Sequence, residues 1–211
     1  MNAPSEHERF LEALQPGRCP LCFLIRQYGF DHLKSLLDES VTDPHTRDRL
    51  YASGGFCRRH AWQGVQQHQA MGMAAIYSGL LEREFQSFKS AARFWRSTHP
   101  QPCPICQSEA SCEKVYTQQF ALSWSCSEEL RRVFREKGIL CLPHLKSILE
   151  QKVPRTSREE LKIAALLALE KLRKDLNEFL SKQDYHRILE KIGGEGDAWV
   201  SAVRMFCGER E

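Results

Sequence analysis

The sequence predicts an all-α protein built from two pseudo-symmetric halves, and three observations carry that prediction. A set of four candidate metal ligands occurs twice, as Cys19-Pro-Leu-Cys22 with Cys57-Arg-Arg-His60 and as Cys103-Pro-Ile-Cys106 with Cys141-Leu-Pro-His144, each position recurring 84 residues later. One CxxC or one CxxH arises readily by chance, but both motifs duplicated in a single register do not. Long stretches also repeat apolar residues at the spacing of one helix face. No stretch alternates with period two for long enough to make a strand. The expected organisation is a first repeat with its metal site over residues 1–98 and a second over 99–192. A C-terminal docking helix over 193–211 follows, and the whole packs as one unit. Each half is expected to be clipped by its own Cys3His site.

The elements follow in order. Glu6 to Leu14 reads as a short helix stopped by Gln15-Pro16-Gly17. Leu21, Leu24, Ile25, Tyr28, His32, Leu36 and Leu37 then recur at helical spacing, so a helix leaves the first knuckle and ends near Asp38. Asp43-Pro44 has the form of an N-cap and first helical residue, and Gly54-Gly55 ends the helix they begin. Cys57 to His60 opens the next helix, where residues three apart share a face. Met73 to Trp95 carries a long apolar stripe, including Ile76, Leu81, Phe85 and Phe88, which reads as core packing.

The second half repeats the plan. His99-Pro100-Gln101-Pro102 precedes the second knuckle, and the segment around Val115 to Leu122 is a weaker helix than its counterpart. Ser127 caps the next helix and Gly138 ends it. Pro143 is tolerable only in a first turn, so Cys141 to His144 also opens a helix. Ser157-Arg-Glu-Glu160 has the form of a capping box before Leu161, Leu169, Leu172 and Leu176. The helices Met73–Trp95 and Ser157–Leu180 are expected to pack together at the centre. Past Gly193-Gly194, Asp197 can cap a last helix that docks through Trp199, Val203 and Phe206.

Composition limits the function. A net charge of +3 on 211 residues does not by itself call for a nucleic-acid partner, and no basic face stands out. No apolar run approaches the roughly 20 residues of a spanning helix, and the start lacks a secretory pattern, so a cytoplasmic protein is expected. In a reducing compartment, cysteines at CxxC spacing bind metal more often than they form disulfides.

The ligand chemistry is specific. A CPxC turn aims two thiolates at one point, and a following CxxH at a helix N-terminus completes a Cys3His set of the structural zinc type. Four protein donors leave no open position for water or substrate, which favours a structural over a hydrolytic ion. Two zinc ions per chain are therefore expected, held by Cys19, Cys22, Cys57 and His60 and by Cys103, Cys106, Cys141 and His144. The alternative is a pair of iron–sulfur clusters for electron transfer or redox sensing, although the close cysteine run of ferredoxins is missing. Phe23 and Gln107 follow the CxxC motifs, where c-type haem attachment needs His. No nucleophile elbow, phosphate loop or paired catalytic carboxylate stands out, and the expected role is a non-enzymatic scaffold for an unidentified protein partner. Cys112 and Cys126 fall outside the repeated set and read as small buried groups, Cys207 as structural or partly exposed. Arg58 and Arg59 read as a solvated charge pair.

Taken together, the CPxC…CxxH motifs at Cys19 to His60 and Cys103 to His144, with Asp197-Ala-Trp199 running to Gly208, resemble a bacterial family of about this length that has no assigned activity. The resemblance spans nearly the whole chain and implies the same eight ligands. Each half also looks like a zinc knuckle with helix-borne second ligands, without the β-hairpin of treble-clef fingers.

Overall fold

The computed structural model describes residues 6–89, 101–184, 187 and 189–209. Its helices are α1 Glu6–Ala13, α2 Pro20–Ser35, α3 Pro44–Ala52, α4 Arg58–Gln66, α5 Ala70–Lys89, α6 Pro104–Cys126, α7 Glu128–Lys137, α8 Leu142–Leu149, α9 Arg155–Ser181 and α10 Ala198–Cys207. A π-helical turn, Leu36–Ser40, follows α2, and a 3-10 turn, Gly194–Asp197, precedes α10. The described residues contain no strand, and none of their helices is long and apolar enough to cross a membrane. The fold is all-α.

Most helix ends follow local chemistry. The Asp43 carboxylate accepts from Thr46 N at 2.8 Å and Ser127 Oγ accepts from Leu130 N at 3.1 Å, which satisfies amides that a helix start leaves free. Gly54 and Gly55 take positive φ past α3. Two expectations need correction. Helix α6 runs unbroken for 23 residues from the second knuckle, so the segment around Val115 to Leu122 is no weaker than its counterpart. Helix α9 starts at Arg155 behind an extended Pro154, so Ser157 does not cap it. Ser157 is buried, and its carbonyl accepts the Trp124 indole N–H at 2.9 Å. The expected reach of α5 to Trp95 and the breaker at His99-Pro100 lie outside the described residues.

The chain divides into two compact units, one of Met1–Leu24 with Glu113–Arg210 and one of Ile25–Cys112. The first unit has an aromatic centre. Phe10 meets Phe120 edge-on at 5.2 Å, and Trp124 meets Phe134 edge-on at 5.3 Å, geometries that suit the ring quadrupoles. A second cluster buries Leu172, Ala198 and Met205 against Ile139, Leu142, Leu169, Leu176 and Ala202, and seats α10 on α8 and α9. Here too the expectation shifts. Trp199, Val203 and Phe206 are each more than half exposed, and α10 docks through Ala198, Ala202 and Met205. The small alanines let the helix come close, which turns the inward face by one residue.

The second unit packs Leu33, Leu36, Leu37, Leu50, Phe56, Ile76, Cys103 and Ile105 together. Helix α5 joins this core through Met73, Ile76, Tyr77 and Leu80. Farther along, Leu81, Phe85 and Phe88 are more than half exposed, so the core-packing reading holds only for the first half of α5. Its contacts in this unit are to the π-helical turn, α3 and α4. The two long helices fall in different units, α5 in the second and α9 in the first.

Candidate metal centres

Each half of the ligand pattern is the beginning of a helix. Cys19 immediately precedes α2, and its carbonyl accepts from Phe23 N at 3.1 Å; Cys103 precedes α6 and accepts from Gln107 N at 3.0 Å. Proline fits the next position because its missing N–H has no partner there in any case. Cys57 and Cys141 are the N-caps of α4 and α8. Two ligands three apart thus occupy the N-cap and third position of one helix and point the same way. The positive end of the helix dipole lies beneath them and favours thiolate over thiol.

The structure pairs these helix starts differently from the repeat. Cys19 and Cys22 meet Cys141 and His144, whereas Cys57 and His60 meet Cys103 and Cys106, and within each group the donor atoms lie within 4.8 Å of one another. The repeat-wise sets, each CPxC with the next CxxH, are therefore corrected. The reason lies in the second unit's core. Phe56 and Cys57 pack in one cluster with Leu33, Leu36 and Leu37, from the far end of α2 and the turn beyond it, and that cluster also holds Cys103, Ile105 and Cys106 of the second knuckle. Each unit consequently contains one complete group.

The donors are spaced for a single ion. In the first group Cys22 Sγ lies 3.7 Å from Cys141 Sγ, and His144 Nδ1 lies 3.4 Å from Cys19 Sγ, 3.4 Å from Cys22 Sγ and 3.1 Å from Cys141 Sγ. In the second, Cys57 Sγ lies 3.6 Å from Cys106 Sγ, and His60 Nδ1 lies 3.3 to 3.5 Å from the three sulfurs. A tetrahedral ion with ordinary zinc bond lengths separates sulfur from sulfur by about 3.8 Å and sulfur from nitrogen by about 3.6 Å. The residues fit such an ion. Five of the eight ligands, His60, His144, Cys19, Cys103 and Cys141, are buried, and Cys22, Cys57 and Cys106 are half-buried.

Each imidazole turns its other nitrogen to a carboxylate. His60 Nε2 lies 3.3 Å from Glu109 Oε1, and His144 Nε2 lies 3.2 Å from Glu113 Oε1. This arrangement fixes ring orientation and leaves Nδ1 as the inward donor. Glu109 also pairs with Arg59, so that arginine is an ion-pair partner rather than part of a solvated pair. Sequence reasoning missed both carboxylates because the repeat hides them: the positions 84 residues earlier are Ile25 and Gly29. Gly29 has its own task, since a Cβ there would collide with the Glu109 carboxylate. Replacing Glu109 with Ala is expected to weaken metal binding at the second group about 10–100-fold in chelator competition, with the first group unchanged. Gly29→Ala should reproduce part of that loss by displacing the same carboxylate; full affinity in both variants would remove Glu109 from the site.

Without an ion, the donors share protons. Burial lowers the His60 pKa, but bonds to Cys103 and Glu109 outweigh it and lift the group to about 9. His144 behaves alike, rising against burial to about 10 through Cys141 and Cys22. Burial pushes Cys103 up, yet the His60 bond and nearby amides bring it down to about 6. Burial and the Cys57 contact push Cys106 up to about 12. In the first group, bonds from Cys141 and Cys19 hold Cys22 far below the usual thiol range, whereas burial and the same neighbours raise Cys19. Each group therefore places an imidazolium beside a thiolate.

The other cysteines stand apart from both groups: Cys112 is buried as expected, Cys126 at the end of α6 is exposed against expectation, and Cys207 is exposed.

The family described as "Family of unknown function (DUF6062)" matches residues 10–95 and 81–211, two overlapping matches consistent with a duplicated family. An uncharacterized 23.9 kDa protein in the xynA 3' region of Caldicellulosiruptor sp. (strain Rt8B.4) is 28% identical over 202 residues, covering 94% of this chain and 98% of that protein. No solved structure matches.

Proposed function

We propose that this chain, which belongs to the DUF6062 family, is a non-enzymatic zinc protein. Cys19, Cys22, Cys141 and His144 hold one ion; Cys57, His60, Cys103 and Cys106 hold the other. The ions close two helical units that serve as a scaffold for protein interaction. The observation that carries this reading is the donor spacing, 3.1 to 3.7 Å around each group, which suits one tetrahedral ion. An iron–sulfur cluster spreads its ligands over several irons and calls for wider separations. Three thiolates and an imidazole also fill the tetrahedron, leaving no vertex for a reacting water. For the interaction role, support comes from α5, where Leu81, Phe85 and Phe88 form an exposed apolar stripe. Ligand thiols must stay reduced, which suits the cytoplasm.

Metal analysis and an absorption spectrum on protein purified without oxygen test the reading. About two zinc ions per chain with no visible absorption are expected for two closed sites. Iron with sulfide and a broad visible band would make the protein a redox protein instead.

Acidification has a defined sign. His60 and His144 carry protons at neutral pH in the ion-free protein, as do Cys106 and Cys19. Ligation requires neutral imidazole and thiolate, so loading releases protons and affinity falls as pH falls. Zinc added to stripped protein in weak buffer should release about two or more protons per ion, read with an indicator dye. No proton release would contradict the ligand set.

A further inference from the structure

We propose that the segment following α10 is the closing wall of the group formed by Cys19, Cys22, Cys141 and His144, so that an ion held there keeps α10 docked. This rests on the reading of that group as a metal site. Gly208 ends α10 with φ 81° and ψ −171°, a region essentially confined to glycine. Its N–H donates to Arg204 O at 3.0 Å. A Cβ on Gly208 would lie 3.2 Å from Cys22 Sγ and 3.9 Å from Cys141 Sγ, so this main chain rests against two of the three sulfurs. The next amide, Glu209 N–H, donates to Cys22 Sγ. The Glu209 side chain is buried, 3.6 Å from Arg204 Nε, and holds the segment against its own helix.

The seat of α10 is built from the same element as the ligands. Cys141 caps α8 and His144 lies in its first turn, while Leu142 between them packs in the cluster that buries Ala198 and Met205. An ion that fixes Cys141 and His144 thereby fixes Leu142, and an amide bond to a metal thiolate is stronger than one to a neutral thiol. Loss of the ion loosens both supports and uncovers Ile139, Leu142, Leu169 and Leu176. The second group is closed differently: amides of Cys57, Ile105 and Cys106, from its own two helix starts, bond the Cys103 sulfur. Control of α10 therefore belongs to one site of the two.

Hydrogen exchange on the full chain, with zinc counted in the same samples, tests this. Cys19→Ser should lose one ion and exchange amides 198–208 at least about 10-fold faster. Cys57→Ser should also lose one ion but leave those amides protected. Because Cys19→Ser also removes a ligand and can unfold more than α10, the reverse direction is tested with all eight ligands intact. Gly208→Val should weaken one of the two ions about 10–100-fold in chelator competition. Met205→Ala, which also leaves all eight ligands intact, should weaken the same ion by linkage. Equal protection of α10 in Cys19→Ser and Cys57→Ser, or two undiminished affinities in Gly208→Val, overturns the proposal. Wild-type protein without metal overturns both it and the site reading, and the zinc count distinguishes that outcome from two bound ions to which α10 is indifferent.

Discussion

The Cys19→Ser protein is expected to keep one ion and to melt roughly 10–20 °C below wild type, a larger fall than Cys57→Ser will show. The difference follows from the crossed pairing. An ion joining Cys22 to Cys141 closes the 118 residues between them, whereas one joining His60 to Cys103 closes 42. In the chain-entropy description of cross-links these closures contribute about 5 and about 4 kcal/mol. For a chain of this size each kcal/mol moves the midpoint by about 2–4 °C, giving roughly 8–16 °C for Cys57→Ser. The outer closure remains the longer even when the inner one is already made. Release of α10 adds to the first loss. Thermal melts followed by circular dichroism, with zinc counted beforehand, give the order; equal or reversed shifts would contradict this account of the pairing.

Trp124→Ala should destabilise comparably without touching a ligand. The indole is buried, stacks beside Phe120, meets Phe134 edge-on and donates to Ser157 O at 2.9 Å. Removing a buried aromatic of this kind costs roughly 3–5 kcal/mol, or a fall of about 6–20 °C. The variant should still carry two ions below its midpoint. A melting curve like that of wild type would show that this cluster is not the centre of the first unit.

The ligands were legible because chemistry and spacing are written locally. Cysteine and histidine at N-cap and third position mark a helix start wherever it lies, and the 84-residue register identified all eight candidates. Their grouping was not legible. A repeat offers each CPxC two chemically equivalent CxxH partners, and the choice depends on tertiary packing around Leu33, Leu36, Leu37 and Phe56. Glu109 and Glu113 were hidden for a related reason: carboxylates on a helix are ordinary, and only an imidazole 3.2 to 3.3 Å away gives them a role. Helix faces failed where neighbours decide exposure. Trp199, Val203 and Phe206 form as good an apolar stripe as Ala198, Ala202 and Met205, yet only the smaller set permits close approach to α8 and α9.

Counting zinc in two double variants tests the central claim most directly. With the crossed pairing, Cys19→Ser with Cys141→Ser disables one group and leaves one ion, whereas Cys19→Ser with Cys57→Ser disables both and leaves none. Pairing along the repeat reverses the two counts. One ion in the first variant and none in the second is the result expected here; none in the first and one in the second would contradict it.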